Sequence, residues 1–221
     1  MPHMVDWSDN RAGERLNMVR TQIRLRGIHH ERLLAALADL PRELFVPPPQ
    51  APAAYEDRPL AIGLGQTISQ PYVVALMIQE LDPQPTDRVL DVGAGSGYQT
   101  ALLARLCRHV YAVERIEELA QRAAGVLAGL GVGNVSFSTR DGSLGWLEQA
   151  PFDRIICGAG GPEVPRAWIE QLADGGRIVA PIGGGEVQTL VVLDRLRQDV
   201  RRRELCPVRF VRLIGQQGWA E

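Results

Sequence analysis

The chain has 221 residues, 45% of them apolar and 23% charged, with a net charge of −2. That balance excludes a surface built broadly for nucleic acid and fits one domain with a modest extension. No apolar run approaches the ~20 residues of a membrane span, and the polar stretch Met1 to Arg15 lacks a signal core. A cytoplasmic protein with no membrane partner is therefore expected. The basic residues are all Arg and are spread along the chain; the run Arg201-Arg202-Arg203 reads as a solvated turn. Cys107, Cys157 and Cys206 lie far apart with no Cys-x-x-Cys, and His29-His30 has no ligand partner at useful spacing. Neither a disulfide framework nor a metal is expected. With no coiled-coil pattern or spare apolar face, a monomer is the expectation.

In chain order, Leu16, Val19, Ile23 and Leu25 fall near helical spacing. A second short helix is predicted over Glu31 to Asp39, ended by Pro41. Phe45-Val46-Pro47-Pro48-Pro49 reads as an extended segment that cannot be helix. Residues 1–70 are read as a helical and loop extension packed on a core of residues 71–221. In that core, helix is predicted at Pro71–Leu81, Tyr98–Leu106, Glu117–Leu130 and Arg166–Leu172. Strand is predicted at Val89–Val92, Val110–Val113, Val135–Ser138, Phe152–Cys157 and Arg177–Pro181. Thr189–Leu193 and Val208–Leu213 follow as two further strands with no helix between them. The alternation predicts an α/β doubly wound, mostly parallel sheet closed by an antiparallel C-terminal hairpin.

The sharpest feature is Val89-Leu90-Asp91-Val92-Gly93-Ala94-Gly95-Ser96-Gly97-Tyr98, a buried strand leading through a Gly-rich turn into a helix. A dinucleotide fold prefers G-x-G-x-x-G; here the spacing is G-x-G-x-G and the acid Asp91 precedes it. An acid there suits a ligand carrying positive charge, such as the amino group and sulfonium of S-adenosylmethionine. Glu114, at the end of the next strand, can accept both ribose hydroxyls, with Arg115 beside it. Asp141, followed by Gly142, can take the exocyclic amine of adenine. The expected cofactor site is thus Asp91, Gly93, Ala94, Gly95, Ser96, Gly97, Glu114, Arg115, Asp141 and Gly142. The same spacing and Asp91 disfavour a nicotinamide dehydrogenase.

Just upstream, Gly65-Gln66-Thr67-Ile68-Ser69-Gln70-Pro71 concentrates hydroxyls and amides before a helix that Pro71 opens. Ser69 or Gln70 would cap it, and free N–H groups at the helix start would make an anion site. Here the chain resembles the protein-L-isoaspartate (D-aspartate) O-methyltransferase family. The resemblance rests on that segment and on the Gly-rich loop through Ala101. It also rests on Val113-Glu114-Arg115-Ile116, Asp141-Gly142, Gly175-Gly176-Arg177, Val208-Arg209-Phe210-Val211 and Pro41-Arg42-Glu43-Leu44-Phe45-Val46. It spans roughly residues 12 to 215.

The resemblance implies a Rossmann-like class I methyltransferase fold. It implies methyl transfer from S-adenosylmethionine, leaving S-adenosylhomocysteine, to the free α-carboxylate of L-isoaspartyl or D-aspartyl residues in damaged proteins. It makes Ser69 the catalytic residue and Thr67, Ile68, Ser69 and Gln70 the substrate-binding set. Gly158-Ala159-Gly160-Gly161-Pro162 departs from the family's Ala-rich stretch, and its glycines are expected to loosen a loop beside the site. Gln216-Gln217-Gly218-Trp219 fits no pattern; Trp219 reads as a packing residue or part of the substrate mouth. Base-amine methylation is disfavoured, because Cys157-Gly158-Ala159-Gly160 lacks the Asn/Asp-Pro-Pro-aromatic signature. A methyltransferase with another carboxylate or small-molecule acceptor is the alternative.

Overall fold

The computed structural model describes residues 11–197 and 199–221. It begins with α1 (Ala12–Asn17), which runs on as a π-helical segment, Met18–Ile23, and a 3-10 turn, Arg24–Arg26. The π turn changes the phase of the buried stripe. Arg15, Met18, Val19 and Ile23 point inward, while Leu16 and Leu25 are exposed, contrary to a single helical face through all four apolar residues. α2 (Glu31–Asp39) buries Leu33, Leu34 and Leu37 as its spacing predicts. Its cap is His30, whose Nδ1 accepts from Leu33 N at 3.1 Å. The Pro-rich crossing is not extended throughout. Arg42–Phe45 and Pro48–Ala53 are 3-10 turns, because proline's fixed φ suits the first positions of a helix as well as an extended chain.

A hairpin of β1 (Leu60–Gly63) and β2 (Gln66–Ile68) follows. Leu64 and Gly65 turn it with φ of 55° and 71°, the geometry two-residue hairpins require. α3 (Pro71–Leu81) then leads into the main sheet.

In β3 (Arg88–Val92), Val89 joins one apolar cluster while Leu90 and Val92 join the other. β4 (His109–Glu114) repeats this with Val110 against Tyr111 and Val113. Strands apolar on both faces need cover on both sides. α3, α4 (Tyr98–Ala104), α5 (Glu117–Gly129) and the N-terminal segments contribute to one cluster. Trp168 of α6 (Arg166–Gln171) anchors the other. The remaining strands are β5 (Val135–Thr139), β6 (Phe152–Cys157), β7 (Leu172–Ile182), β8 (Gln188–Leu196) and β9 (Asp199–Val208). The order is β5-β4-β3-β6-β7-β8-β9, parallel from β5 to β7 and antiparallel beyond.

The edge hairpin exists, but its second strand precedes the predicted one. Residues after Val208 make only isolated bridges, such as Gly160 with Arg212. Arg201-Arg202-Arg203 lies in β9 and is not a turn. This edge strand is mostly exposed, so it lacks the apolar alternation that marks interior strands, and its arginines discourage edge-to-edge pairing. Among the described residues, no helix is long and apolar enough to cross a membrane.

Two glycines should respond oppositely to alanine. At Gly97, φ is +84° and an added Cβ would stand 2.9 Å from Ala123 Cβ and 3.0 Å from Leu127 Cδ1. Gly97→Ala is expected to lose about 1–3 kcal/mol in urea unfolding. Gly125, inside α5, has nothing within 4 Å of an added Cβ. Gly125→Ala is expected to gain about 0.4–1 kcal/mol in the same assay.

Candidate active site

Strand order reverses at β3, with β4 on one side and β6 on the other. Open α/β sheets bind ligands in the crevice at such a point. The loop from Gly93 to Gly97 sits there, and its donors are turned inward. Gly93 N and Ala94 N donate to Val113 O at 2.9 and 3.2 Å, and Gly97 N donates to Ala94 O at 2.8 Å. Gly95 N donates to Glu114 Oε2 at 2.9 Å, and Tyr98 N to Ser96 Oγ at 3.3 Å. Few N–H groups are left to cradle a diphosphate. The crevice is lined by Gly93, Gly95, Glu114, Arg115, Gly142 and Gly158. A Cβ on Gly158 would come within 3.0 Å of Gly93 O, so bare backbone keeps the space open.

The three acids take different places. Glu114 is buried, and its Oε1 accepts from Ile116 N at 3.0 Å. Each of its oxygens keeps a lone pair for a ligand's hydroxyls. Asp91 has no exposed surface and lies beneath the loop, on the face toward α4. Its Oδ1 accepts from Gln99 Nε2 at 2.8 Å and its Oδ2 from Thr100 Oγ1 at 2.6 Å. Of this trio, Gln99 lines the cleft beside Gly93 and Ser96. Asp141 accepts from Ser143 N and Oγ at 2.8 and 2.7 Å, and from Gln216 N at 2.7 Å. Of about four lone-pair directions on that carboxylate, one remains.

On the other side, Thr67, Ser69, Gln70, Gly158, Arg209 and Phe210 are among the residues lining a groove of about 490 Å³. Thr67, Ser69 and Gly158 also line the cleft beside Gly93, Ser96 and Gln99. Groove and cofactor loop therefore meet at these three residues. Ile68 is buried in the core and anchors the segment between them. The start of α3 is not a free anion site. Gln70 is its cap residue but makes no side-chain cap bond. Instead Asp57 accepts from Gln70 Nε2 at 2.7 Å and from Tyr72 N at 3.3 Å. A carboxylate already occupies the positive helix end. Asp57 gave no sign of this, being one of two adjacent acids, Glu56-Asp57, in a loop, and Arg209 carried no role beyond the resemblance.

The loop after β6 is held, not loosened. Gly160 N donates to Val211 O at 2.7 Å, Leu213 N to Gly160 O at 2.9 Å and Gly161 N to Pro181 O at 3.1 Å. Glycine is needed at Gly160 for close packing, since a Cβ would meet Gln188 at 2.9 Å. The unassigned C-terminal segment closes over the same end of the sheet. Gln217 N donates to Ser143 Oγ at 3.0 Å, Trp219 Nε1 to Gly160 O at 3.0 Å, and Arg115 Nη1 to Glu221 at 3.0 Å. Trp219 is thus half-buried and tied to the loop after β6, and it is not among the residues lining the groove.

The family model for protein-L-isoaspartate(D-aspartate) O-methyltransferase matches residues 14–218. The chain belongs to this family. It is 51% identical over 209 residues to a protein-L-isoaspartate O-methyltransferase of Methanoregula boonei, covering 95% of this chain and 96% of that one. A solved protein-L-isoaspartate O-methyltransferase superposes with a TM-score of 0.82 at 27% identity, covering 94% of this chain and 67% of its own. A Plasmodium falciparum structure described as belonging to the same enzyme family, in complex with S-adenosyl-L-homocysteine, has a TM-score of 0.76 at 24% identity. It covers 89% of this chain and 96% of its own. As a protein-L-isoaspartate O-methyltransferase, the chain is a protein-repair enzyme.

Burial raises the Asp91 carboxyl from its ordinary 3.8 to about 6; the Thr100 and Gln99 hydrogen bonds oppose this and the nearby Glu114 charge adds to it. A carboxyl that binds its proton more tightly when folded contributes stability that is fully present below the unfolded value and is lost as pH rises through the folded one. The unfolding free energy of the ligand-free wild type, relative to that of Asp91→Asn, should therefore fall between pH 3.8 and about 6. Urea titrations of both proteins across that range check this, and a flat difference would contradict it.

Proposed function

We propose that the isoaspartyl carboxylate enters the groove at Ser69 and faces the cofactor loop across Thr67 and Gly158. The observation that carries this reading is that these three residues belong to both spaces. S-adenosylmethionine, the donor, supplies an electrophilic methyl carbon on a sulfonium. The site suits it better than a dinucleotide. The loop's backbone N–H groups are spent on Val113, Glu114 and the loop itself, so the crevice offers the Glu114 carboxylate and bare backbone beside the side chains of Arg115 and Arg212, and no cradle of backbone donors. Glu114 would hold the ribose hydroxyls, and the remaining acceptor of Asp141 would take the adenine amine. Asp91 would act through Gln99 and Thr100, fixing the start of α4 and lending its charge beneath the sulfonium end.

An isoaspartyl carboxylate is ionised at neutral pH, so the reaction needs no general base. What the protein supplies is placement and the removal of water. Ser69 Oγ makes no hydrogen bond among the described residues and is available to the carboxylate. Among the described residues, Arg209 is the one charged residue lining the groove, and it offers a cation to an anionic substrate. The methyl ester formed closes unaided to a succinimide, as the next residue's backbone amide nitrogen attacks the ester carbonyl and methanol leaves, and hydrolysis returns part of it as ordinary aspartate. One chain carries both groove and crevice, so the working unit is a monomer, and the expected compartment is the cytoplasm.

The test offers labelled S-adenosylmethionine with one peptide in isoaspartyl and aspartyl forms. Base-labile label is expected on the isoaspartyl form alone; equal labelling of both would remove the assigned selectivity. Ser69→Ala should lower kcat about tenfold to a hundredfold while S-adenosylhomocysteine affinity by calorimetry stays within about threefold. Matched losses in both would remove Ser69 from the carboxylate's place.

A further inference from the structure

Arg42 is a buried cation with no ion-pair partner among the described residues; the Asp57 carboxylate acts on it only from a distance. Its side chain has no exposed surface, although it belongs to the N-terminal extension and not to the sheet. Nε donates to Ala54 O at 2.8 Å and Nη2 donates to Ser69 O at 2.9 Å. The guanidinium carbon lies 4.8 Å from the centroid of the Tyr98 ring, and Phe45 meets that ring edge-on at 5.4 Å. Arg42 Nη1 and the Tyr98 hydroxyl are both buried without a hydrogen-bond partner. Burial pushes the guanidinium down to about 10, which leaves it charged at neutral pH.

A charge withdrawn from water is costly unless something repays the desolvation. Two carbonyls, the Tyr98 ring and the more distant Asp57 charge repay it only in part, since the guanidinium still ends below its ordinary value, so stability alone is a weak reason for an arginine here. Its contacts have a common geometry instead. Ser69 and Tyr98 are two walls of one cleft, which Gly93, Ser96 and Gln99 complete. Ser69 O is a backbone atom, so the bond fixes the segment and leaves the hydroxyl free. The planar fork can grip two carbonyls at once, which an ammonium on a flexible stem does not reproduce.

We propose that Arg42 is a positioning residue for methyl transfer, holding the Ser69 backbone against the Tyr98 wall so that the Ser69 hydroxyl meets the substrate carboxylate at a fixed place. This rests on the reading of Ser69 given above. It assigns the N-terminal extension a part in the chemistry through one side chain.

The experiment is a double-mutant cycle of Arg42→Met and Ser69→Ala, with Arg42→Lys as the conservative variant. Readouts are kcat and KM for the isoaspartyl peptide, calorimetric affinity for S-adenosylhomocysteine, and melting temperature. Rates are expressed per S-adenosylhomocysteine-binding site, so unfolded protein does not count. Arg42→Met should lower kcat about tenfold or more with S-adenosylhomocysteine affinity within about threefold, and Arg42→Lys should recover part of the loss. On the Ser69→Ala background, Arg42→Met should cost less than about threefold further, because both changes remove one interaction. Additive losses would overturn the proposal, as would a cofactor-product affinity that falls in step with kcat. So would an unchanged kcat accompanied by a lower melting temperature, or loss of S-adenosylhomocysteine binding in both Arg42 variants. A silent Ser69→Ala in an enzyme that still labels isoaspartyl peptide would break the Ser69 reading. Silent Arg42 variants beside an impaired Ser69→Ala would break this inference alone.

Discussion

A carboxylate with no access to water has to find its hydrogen bonds inside the protein, and Asp91 finds them on the helix that follows it. The period-two alternation of β3 puts Leu90 and Val92 on one face and therefore turns Asp91 toward α4. Gln99 and Thr100, in the first turn of that helix, are the groups within reach. Once they bind it, the distance and angle between β3 and α4 are set, and the five residues from Gly93 to Gly97 must bridge a fixed gap. Positive φ at Gly93, Gly95 and Gly97 is the backbone's way of doing so. Gly97 also sits where α5 presses closest, which ties the second crossover helix to the same loop.

The loop's shape then decides the ligand's chemistry. A glycine-rich turn that aims its N–H groups outward attracts phosphate. This one spends them on Val113 O, on Glu114 and on itself. What the loop itself leaves to the crevice is bare backbone beside the Glu114 carboxylate, complementary to hydroxyls and amines, with Arg115 and Arg212 on the rim. The difference between a dinucleotide site and this one is thus the direction of a handful of hydrogen bonds. Glycine spacing reports it only indirectly.

That distinction bears on how much the sequence disclosed. Interior strands announce themselves because both faces are apolar, and β3, β4 and β6 fall where the pattern predicts them. The G-x-G-x-G spacing and the acids at successive strand ends were legible for the same reason: each stands at a fixed offset from an obvious strand. β9 was hidden because an edge strand dressed with arginine has no apolar alternation, and Val208–Leu213 looked more strand-like than the true pairing partner. The stripe through α1 was misread because a π turn shifts the phase by a residue, and no propensity scale registers that. Asp57 at the start of α3 was invisible, since the contact joins residues separated by a hairpin. The tail from Gly215 to Glu221 offered no periodicity at all. Its order comes from polar contacts to Asp141, Ser143, Gly160 and Arg115.

Composition misled most about arginine. An even spread of one basic residue type reads as bias, yet burial separates these side chains sharply. Arg15 and Arg42 are interior, and each binds backbone carbonyls across the N-terminal extension, Arg15 through Ala38 O at 2.6 Å. The extension and the sheet also share one apolar cluster, running from Met18 and Leu37 through Phe45 to Val89 and Val110. A reaction that needs no acid or base gains mainly from rigid placement of two partners. A segment that only covered the sheet would need apolar side chains and nothing more. This one carries guanidinium groups into its interior, and one of them ends on the backbone of Ser69; in the arrangement proposed above, the extension would stiffen the substrate wall from behind while the sheet holds the cofactor wall.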